Sequence, residues 1–297
     1  MTDGQHIGET MREFLFQMSA TGRAESSVAA YGRELNRLAL FLADRPVACV
    51  TSSDVSQFLA SPAVRLKRDG SAKGTATTNR TRAVLKAFFA WCERTARIAR
   101  NPAFLIRTFP VSEGPICYMS RRDISRFLVA IKRSRHRLAR RDYALFSTIA
   151  YMGLRLSEAA QVAWGDFDEG RRRLVLKSAK GGRRAVRHVP WRVIVVLVEH
   201  RRQTADTARD APIFRTRRDA ALSPRTIQYR FRFWLSRARI LGKFSVHSLR
   251  HTFATLLYRA TRDLLLVSRA LGHRDVRTTQ RYAHIEDDAL LRAVNAL

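Results

Sequence analysis

A chain of 297 residues with 55 Lys+Arg against 25 Asp+Glu carries a formal net charge of +30, with 46% hydrophobic and 27% charged residues. Those values exclude a disordered chain, allow two ordinary cores, and set up a field that attracts a polyanion, nucleic acid first among them. Cys49, Cys92 and Cys117 are too scattered for a disulfide framework or a CxxC metal site. The start MTDGQHIGET has no basic-then-apolar leader, and no apolar run approaches the roughly 18 residues that span a bilayer, so a cytoplasmic, nucleoid-associated protein without a membrane anchor is expected.

In chain order, Val28, Tyr31, Leu35, Leu38 and Leu42 recur on one helical face after the turn-prone 23-RAESS-27. Thr51 with Asp54 three positions later forms a capping box ahead of the short apolar run Val55–Leu59. The polar loop 65-RLKRDGSAKGTATT-78 leads into a longer helix ending near 88-FFAWCER-94. The first hundred residues thus read as a small helical bundle with a basic loop. Two prolines, a glycine and two serines in 108-TFPVSEGPICYMS-120 mark a linker. Ser120 then caps a helix with Asp123 at its third position, and Ile124, Phe127, Leu128 and Ile131 follow on one face. In 172-RRLVLKSAKGGRRAVRHVP-190 two β-rich runs flank Gly181 and Gly182, which reads as a hairpin turning near Lys180. From Arg192 onward the helical patterns return. Residues 111–297 hold 39 basic and 16 acidic residues against 16 and 9 in 1–110, so the positive field is concentrated in the second part.

Several residues could carry chemistry. Gly153 breaks a helix ending at Met152, while Ser157 and Glu158 suit the start of another, so Arg155 sits at a turn from which it can project. Taken alone it is a surface charge. Lys180 at the hairpin tip serves solubility or reaches a DNA groove, with Lys177 a rival of shorter reach. In 247-HSLRHTFAT-255, His247 and Arg250 share a helical face and can approach one phosphate. His247 and His251 have the spacing of a zinc pair, but Ser248 stands where a metalloprotease has Glu, Arg250 would sit beside the metal, and no third ligand is evident. No metal is therefore expected. In 271-LGHRDVRTTQRYAHIE-286, Gly272 caps a helix, His273 follows it, and Asp275 starts a short helix carrying Tyr282. Alone, Tyr282 is a core ring and His273 a capping surface residue. Two arginines, a lysine, two histidines and a tyrosine without a carboxylate cluster suit phosphoryl transfer, with guanidinium groups meeting the phosphate charge and a tyrosine oxygen attacking.

The motifs 153-GLRLSE-158, the hairpin Lys180, 247-HSLRHTFAT-255, 271-LGH-273 and 278-TTQRYAH-284 closely resemble, in order and spacing, those of the tyrosine recombinase (phage integrase) family. They cover most of residues 118–297, while the helical first half resembles the family's core-binding domain less specifically. Ala179 stands where the family usually has Gly before the lysine, and Met152 where it often has Thr before Gly153. The resemblance implies a mainly α fold with a small β-hairpin or sheet, in two domains. These are a helical, SAM-like core-binding domain over 1–108 and a mixed α/β catalytic domain over 120–297, of the tyrosine recombinase and type IB topoisomerase type, joined by a linker over 109–119.

It also implies the roles. Arg155 and Arg250 bind the scissile phosphate, His247 and His273 complete its shell, and Glu158 supports the arginine turn. Lys180 protonates the departing 5′ oxygen, and Tyr282 attacks to give a 3′-phosphotyrosyl link, without ATP, metal or other cofactor. The phenol is then expected to face the phosphate instead of packing inward, with Arg277 and Arg281 serving the DNA backbone. Expected partners are double-stranded DNA, clamped between the two domains, and three further protomers, identical or not, in a tetramer on two synapsed sites. The apolar stripe of the tail 286–297 packs on its own domain or, as the resemblance implies, docks on a neighbouring protomer. A monomeric topoisomerase and a basic regulator that never cuts remain the alternatives. Strand exchange separates the first, and a covalent adduct lost in Tyr282→Phe separates the second.

Overall fold

Described in the computed structural model are residues 5–111, 114, 116–177, 184–273 and 275–283. The fold is mainly α with one small antiparallel sheet, in two compact units, Met1–Gly114 and Pro115–Leu297. In the first unit, α1 (Ile7–Ala20), α2 (Glu25–Phe41), α3 (Ser52–Ala60), α4 (Pro62–Arg65) and α5 (Thr75–Arg94) enclose one core. Leu35, Leu38 and Leu42 are buried in it, with Val28 and Tyr31 packed against it, as their spacing predicts. The Thr51–Asp54 box closes both ways: Thr51 Oγ1 accepts from Asp54 N at 3.2 Å and Asp54 Oδ2 accepts from Thr51 N at 2.9 Å. Aromatic rings fill the centre, Phe14 meeting Phe88 edge-on at 5.6 Å. The first helix, α1, was not individually predicted, and α5 starts at Thr75, inside the expected loop.

The second unit runs α6 (Arg121–Lys132), α7 (Ala139–Met152), α8 (Leu156–Gln161), β1 (Phe167–Asp168), β2 (Arg173–Lys177), β3 (Arg184–His188), α9 (Trp191–Arg202), α10 (Pro224–Arg237), α11 (Val246–Thr261), α12 (Leu264–Leu271) and α13 (Arg277–Gln280). Ser120 Oγ accepts from Asp123 N at 3.0 Å and starts α6, whose Ile124, Phe127, Leu128 and Ile131 are all buried. Helix α7 is the axis of this unit. It packs against α6, α9 and α11 and is buried nearly throughout from Ala144 to Ala150, as a helix enclosed by others must be.

The predicted hairpin is β2 and β3, paired antiparallel with Leu174 opposite Arg187 and Leu176 opposite Ala185. Leu174 and Leu176 are buried, so that register turns Arg187 toward the inner side of the sheet. The sheet has a third strand that was not expected: β1 pairs with β2, Phe167 opposite Leu174. Two residues carry no readable alternation. Among the described residues no helix is long and apolar enough to cross a membrane.

Candidate active site

The site is built around two sharp chain reversals, each made by a glycine. Gly153 ends α7 at φ +61° and Gly272 ends α12 at φ +62°, in the left-handed region that closes a helix C-terminus. After Gly153 the chain places Arg155 at the N-cap of α8. Its backbone N–H donates to Glu158 Oε2 at 2.7 Å, its Nη1 to Glu158 Oε1 at 2.8 Å, and its Nη2 to the Gly272 carbonyl at 3.4 Å. Arg250, from α11, donates Nη1 to the Gly153 carbonyl at 2.6 Å and Nη2 to the Leu271 carbonyl at 2.8 Å. Its Nη1 also lies 3.9 Å from Glu158 Oε2. One carboxylate and the end of α12 therefore hold both guanidinium groups. Arg155 keeps 42% of its side chain exposed while Arg250 keeps 2%, so Arg155 is the open face of the pair.

A third guanidinium belongs to this corner. Arg187 Nη1 donates to the Arg269 carbonyl at 2.6 Å, and a Cβ on Gly272 would stand 2.0 Å from Arg187 Nη2. Burial, opposed by Glu158 and aided by Arg155, lowers the Arg187 pKa. Burial and then Arg155 push Arg250 down to about 10, still far above neutrality, so its charge persists. Like charges crowded around one carboxylate favour the approach of an anion.

Three histidines and the tyrosine complete the cluster. His273 follows Gly272, its Nδ1 2.8 Å from Thr279 Oγ1. Thr279 is buried, and its carbonyl accepts from Tyr282 N at 3.0 Å, so one threonine ties His273 to the tyrosine segment. His247 stands at the start of α11, its ring 4.4 Å from that of His251 at 81°. His251 Nδ1 lies 2.9 Å from the Tyr282 hydroxyl. Burial first, then Arg250 and Arg155, hold His273 at about 4. Burial and then His247 and Arg281 hold His251 at about 4. Burial and then Arg250 lower His247 as well. All three imidazoles are neutral at neutral pH. Burial raises the Tyr282 phenol, against the pull of Arg250 and Arg281, so the hydroxyl keeps its proton.

Several placements follow the expectations. Arg155 stands at a turn, Gly272 caps its helix, and Arg155, Glu158, Arg250, His273 and Tyr282 lie in one neighbourhood with His247 at its rim. Others differ. Tyr282 does not present its phenol outward: the residue is 2% exposed and its ring packs with Ala254, Val267 and Leu271, because the reversal after α12 folds the segment back onto α11. Nor does a helix carry it, for α13 is only Arg277–Gln280 and Tyr282 lies in the turn beyond. Arg277 is exposed, whereas Arg281 is half-buried and its charge acts on His247, His251 and Tyr282. Lys180 and the tail 286–297 lie outside the described residues. His251 was read only as half of a metal pair, and Arg187 was missed. The alternation in 184-RAVRH-188, with Ala185 and Arg187 on one side, was the available signal for Arg187. Among the described residues no group of three or more His, Cys, Asp or Glu is gathered where a metal could be held.

Residues 118–289 match the Phage integrase family, and residues 12–95 match the phage integrase N-terminal SAM-like domain. Tyrosine recombinase XerC of Xylella fastidiosa (strain 9a5c) is 30% identical over 285 residues, 95% of this chain and 94% of that one. XerH site-specific recombinase, solved bound to a palindromic difH substrate as a post-cleavage complex, superposes with a TM-score of 0.73 at 21% identity, covering 90% of this chain and 79% of that chain. A lambda integrase tetramer bound to a Holliday junction gives 0.74 at 14% identity, covering 95% and 78%. At those two identities the likeness is one of fold.

Proposed function

The chain belongs to the phage integrase family and is a site-specific tyrosine recombinase that cleaves and rejoins DNA, and we propose that it does so through Tyr282, by a 3′-phosphotyrosyl link. The observation that carries this reading is the meeting of Arg155 and Arg250 on Glu158 and on the end of α12, with His273 and the Tyr282 segment joined at Thr279. A phosphodiester entering there meets two fixed guanidinium groups as charge grows on its non-bridging oxygens. Arg155 takes the accessible oxygen. Arg250, fixed by two carbonyls, supplies a charge that need not reorganise as the reaction proceeds. Neutral His247 and His273 each have a ring N–H to donate to the same oxygens, and Glu158 keeps the arginine turn in register.

Tyr282 attacks phosphorus, and the bond to the 5′ oxygen breaks. Lys180, between β2 and β3 in the sequence, is the proposed acid that protonates the departing oxygen. The phosphotyrosyl link conserves the energy of the phosphodiester, so a 5′-hydroxyl from a partner strand can reseal it without ATP. Arg277 and Arg281 are assigned to the DNA backbone, residues 1–108 to a DNA-binding role, 109–119 to a linker, and 286–297 to docking on a neighbouring protomer. The active assembly is a tetramer on two synapsed sites, working on nucleoid DNA in the cytoplasm.

The test is covalent trapping. Wild-type protein is incubated with sheared DNA of its source genome, and protein-linked fragments are isolated under denaturing conditions and sequenced. A nicked duplex of the recovered site should accumulate an adduct with wild-type protein and none with Tyr282→Phe. Failure of the wild type to link any genomic fragment overturns the assignment, as does an adduct that survives the phenylalanine.

A further inference from the structure

His251 has no part in the roles assigned above, yet it is the side chain that touches the Tyr282 hydroxyl. The contact is 2.9 Å from Nδ1, with the two rings 5.8 Å apart and tilted at 54°. Tyr282 is 2% exposed, and among the described residues a phenol proton aimed elsewhere would be buried without a partner. The proton assignment follows: the phenol donates, Nδ1 accepts, and the imidazole hydrogen sits on Nε2. His247 meets His251 edge to face at 4.4 Å and restricts how that ring can turn.

We propose that His251 is the base for the nucleophile, holding Tyr282 by Nδ1 and accepting its phenolic proton as the tyrosine oxygen bonds to phosphorus. The proposal rests on Tyr282 as the nucleophile. In the step, the phenol O–H breaks and its proton passes to His251 Nδ1, the oxygen–phosphorus bond forms, and the bond from phosphorus to the 5′ oxygen breaks. The departing oxygen takes a proton from the acid assigned above. Resealing runs the same transfers backward: the incoming 5′-hydroxyl gives its proton to that acid's conjugate base, and His251 returns its own to the leaving phenolate.

The surroundings suit a base that becomes stronger when substrate arrives. The groups facing His251 are His247 and Arg250 from its own helix, Arg281 and Tyr282 from the segment after α13, and His273 from the turn after α12. Apart from Tyr282, each of them lowers its proton affinity in the free protein, as does burial, so the ring stands neutral and ready to accept. A bound phosphate brings negative charge next to Arg250 and offsets that repulsion, which raises the affinity of Nδ1 for a proton when the phenol must lose one. Arg250 and Arg281 favour the phenolate that forms.

The experiment uses the full chain and the nicked duplex recovered by trapping, in single turnover at saturating protein across a range of pH. His251→Ala is expected to slow adduct formation by about 100-fold while leaving duplex affinity unchanged in a mobility shift. Added imidazole should restore much of that rate, in proportion to its neutral fraction. His251→Asn keeps a hydrogen-bond acceptor near the Nδ1 position without a basic nitrogen; it should melt like the wild type and still cleave slowly, which separates a proton acceptor from a packing residue. The proposal is overturned if both variants cleave within about threefold of wild type, or if imidazole leaves His251→Ala unchanged. Tyr282→Phe distinguishes the two levels. If it still forms the adduct, the nucleophile assignment fails; if it is dead while the His251 variants run at wild-type speed, only the role of His251 falls.

Discussion

Gly153 bears on the site through its backbone alone. Its carbonyl accepts from Arg250, and a Cβ at that position would stand 2.5 Å from Phe253 Cδ1 and 3.1 Å from Leu271 Cδ2 on a φ of +61°. Gly153→Ala is therefore expected to lower stability by about 1–3 kcal/mol, read as a fall in melting temperature. It should also slow adduct formation beyond that, because the carbonyl moves with the strained backbone. The glycine was legible in the sequence, since a break between two helical patterns needs a left-handed residue. The burial of Tyr282 was not. It depends on Ala254, Val267 and Leu271 arriving from two other helices, and no local spacing encodes that meeting.

Among the elements, α7 and α10 are joined by a buried ion network. Asp142, fully buried, accepts from Arg230 Nε at 2.7 Å and Trp234 Nε1 at 2.7 Å through Oδ2, and from Arg141 Nη2 at 2.7 Å through Oδ1. Asp142→Ala would leave Arg230 without its carboxylate inside the core, an expected loss of about 3–5 kcal/mol, measurable by denaturant unfolding. Helix starts were readable because a cap is local: Thr51 with Asp54 and Ser120 with Asp123 are each three residues apart. The hairpin was readable from two β-rich runs about a glycine pair. The Asp142 network was invisible because Arg230 and Trp234 lie 88 and 92 residues away in the chain. Arg187 falls between these cases. Its alternation is in the sequence, but its contact with the end of α12 required the tertiary fold.

For the molecule as a whole, acid should act unevenly. His251 and His273 are held at about 4, and His136, His200 and His247 are also lowered, burial being the first cause each time. Unfolded histidines take up protons near 6.5, while these folded ones wait for lower pH, so between those values the unfolded chain binds more protons. Stability from this source is complete above about pH 6.5, declines as pH falls toward 4, and levels off below that. All five histidines belong to the unit Pro115–Leu297. Acidification is thus expected to loosen that unit before Met1–Gly114, which hydrogen exchange at two pH values would resolve. The first unit should hold out longer: hydrogen bonds from Thr51 keep the Asp54 carboxyl below its ordinary range, a contribution lost only at lower pH.

Apart from the Glu158 carboxylate, the acceptors that hold the arginines have one property in common. Arg155 rests on the Gly272 carbonyl, Arg187 on that of Arg269, and Arg250 on those of Gly153 and Leu271. A codon change replaces a side chain and leaves the carbonyl in place. Drift at positions 269 and 271 can therefore alter packing without deleting an acceptor, and the charge geometry is inherited largely through the path of the main chain. The genetic vulnerability of the site concentrates where that path depends on residue type, at the two glycines, and in Glu158 and the arginines themselves.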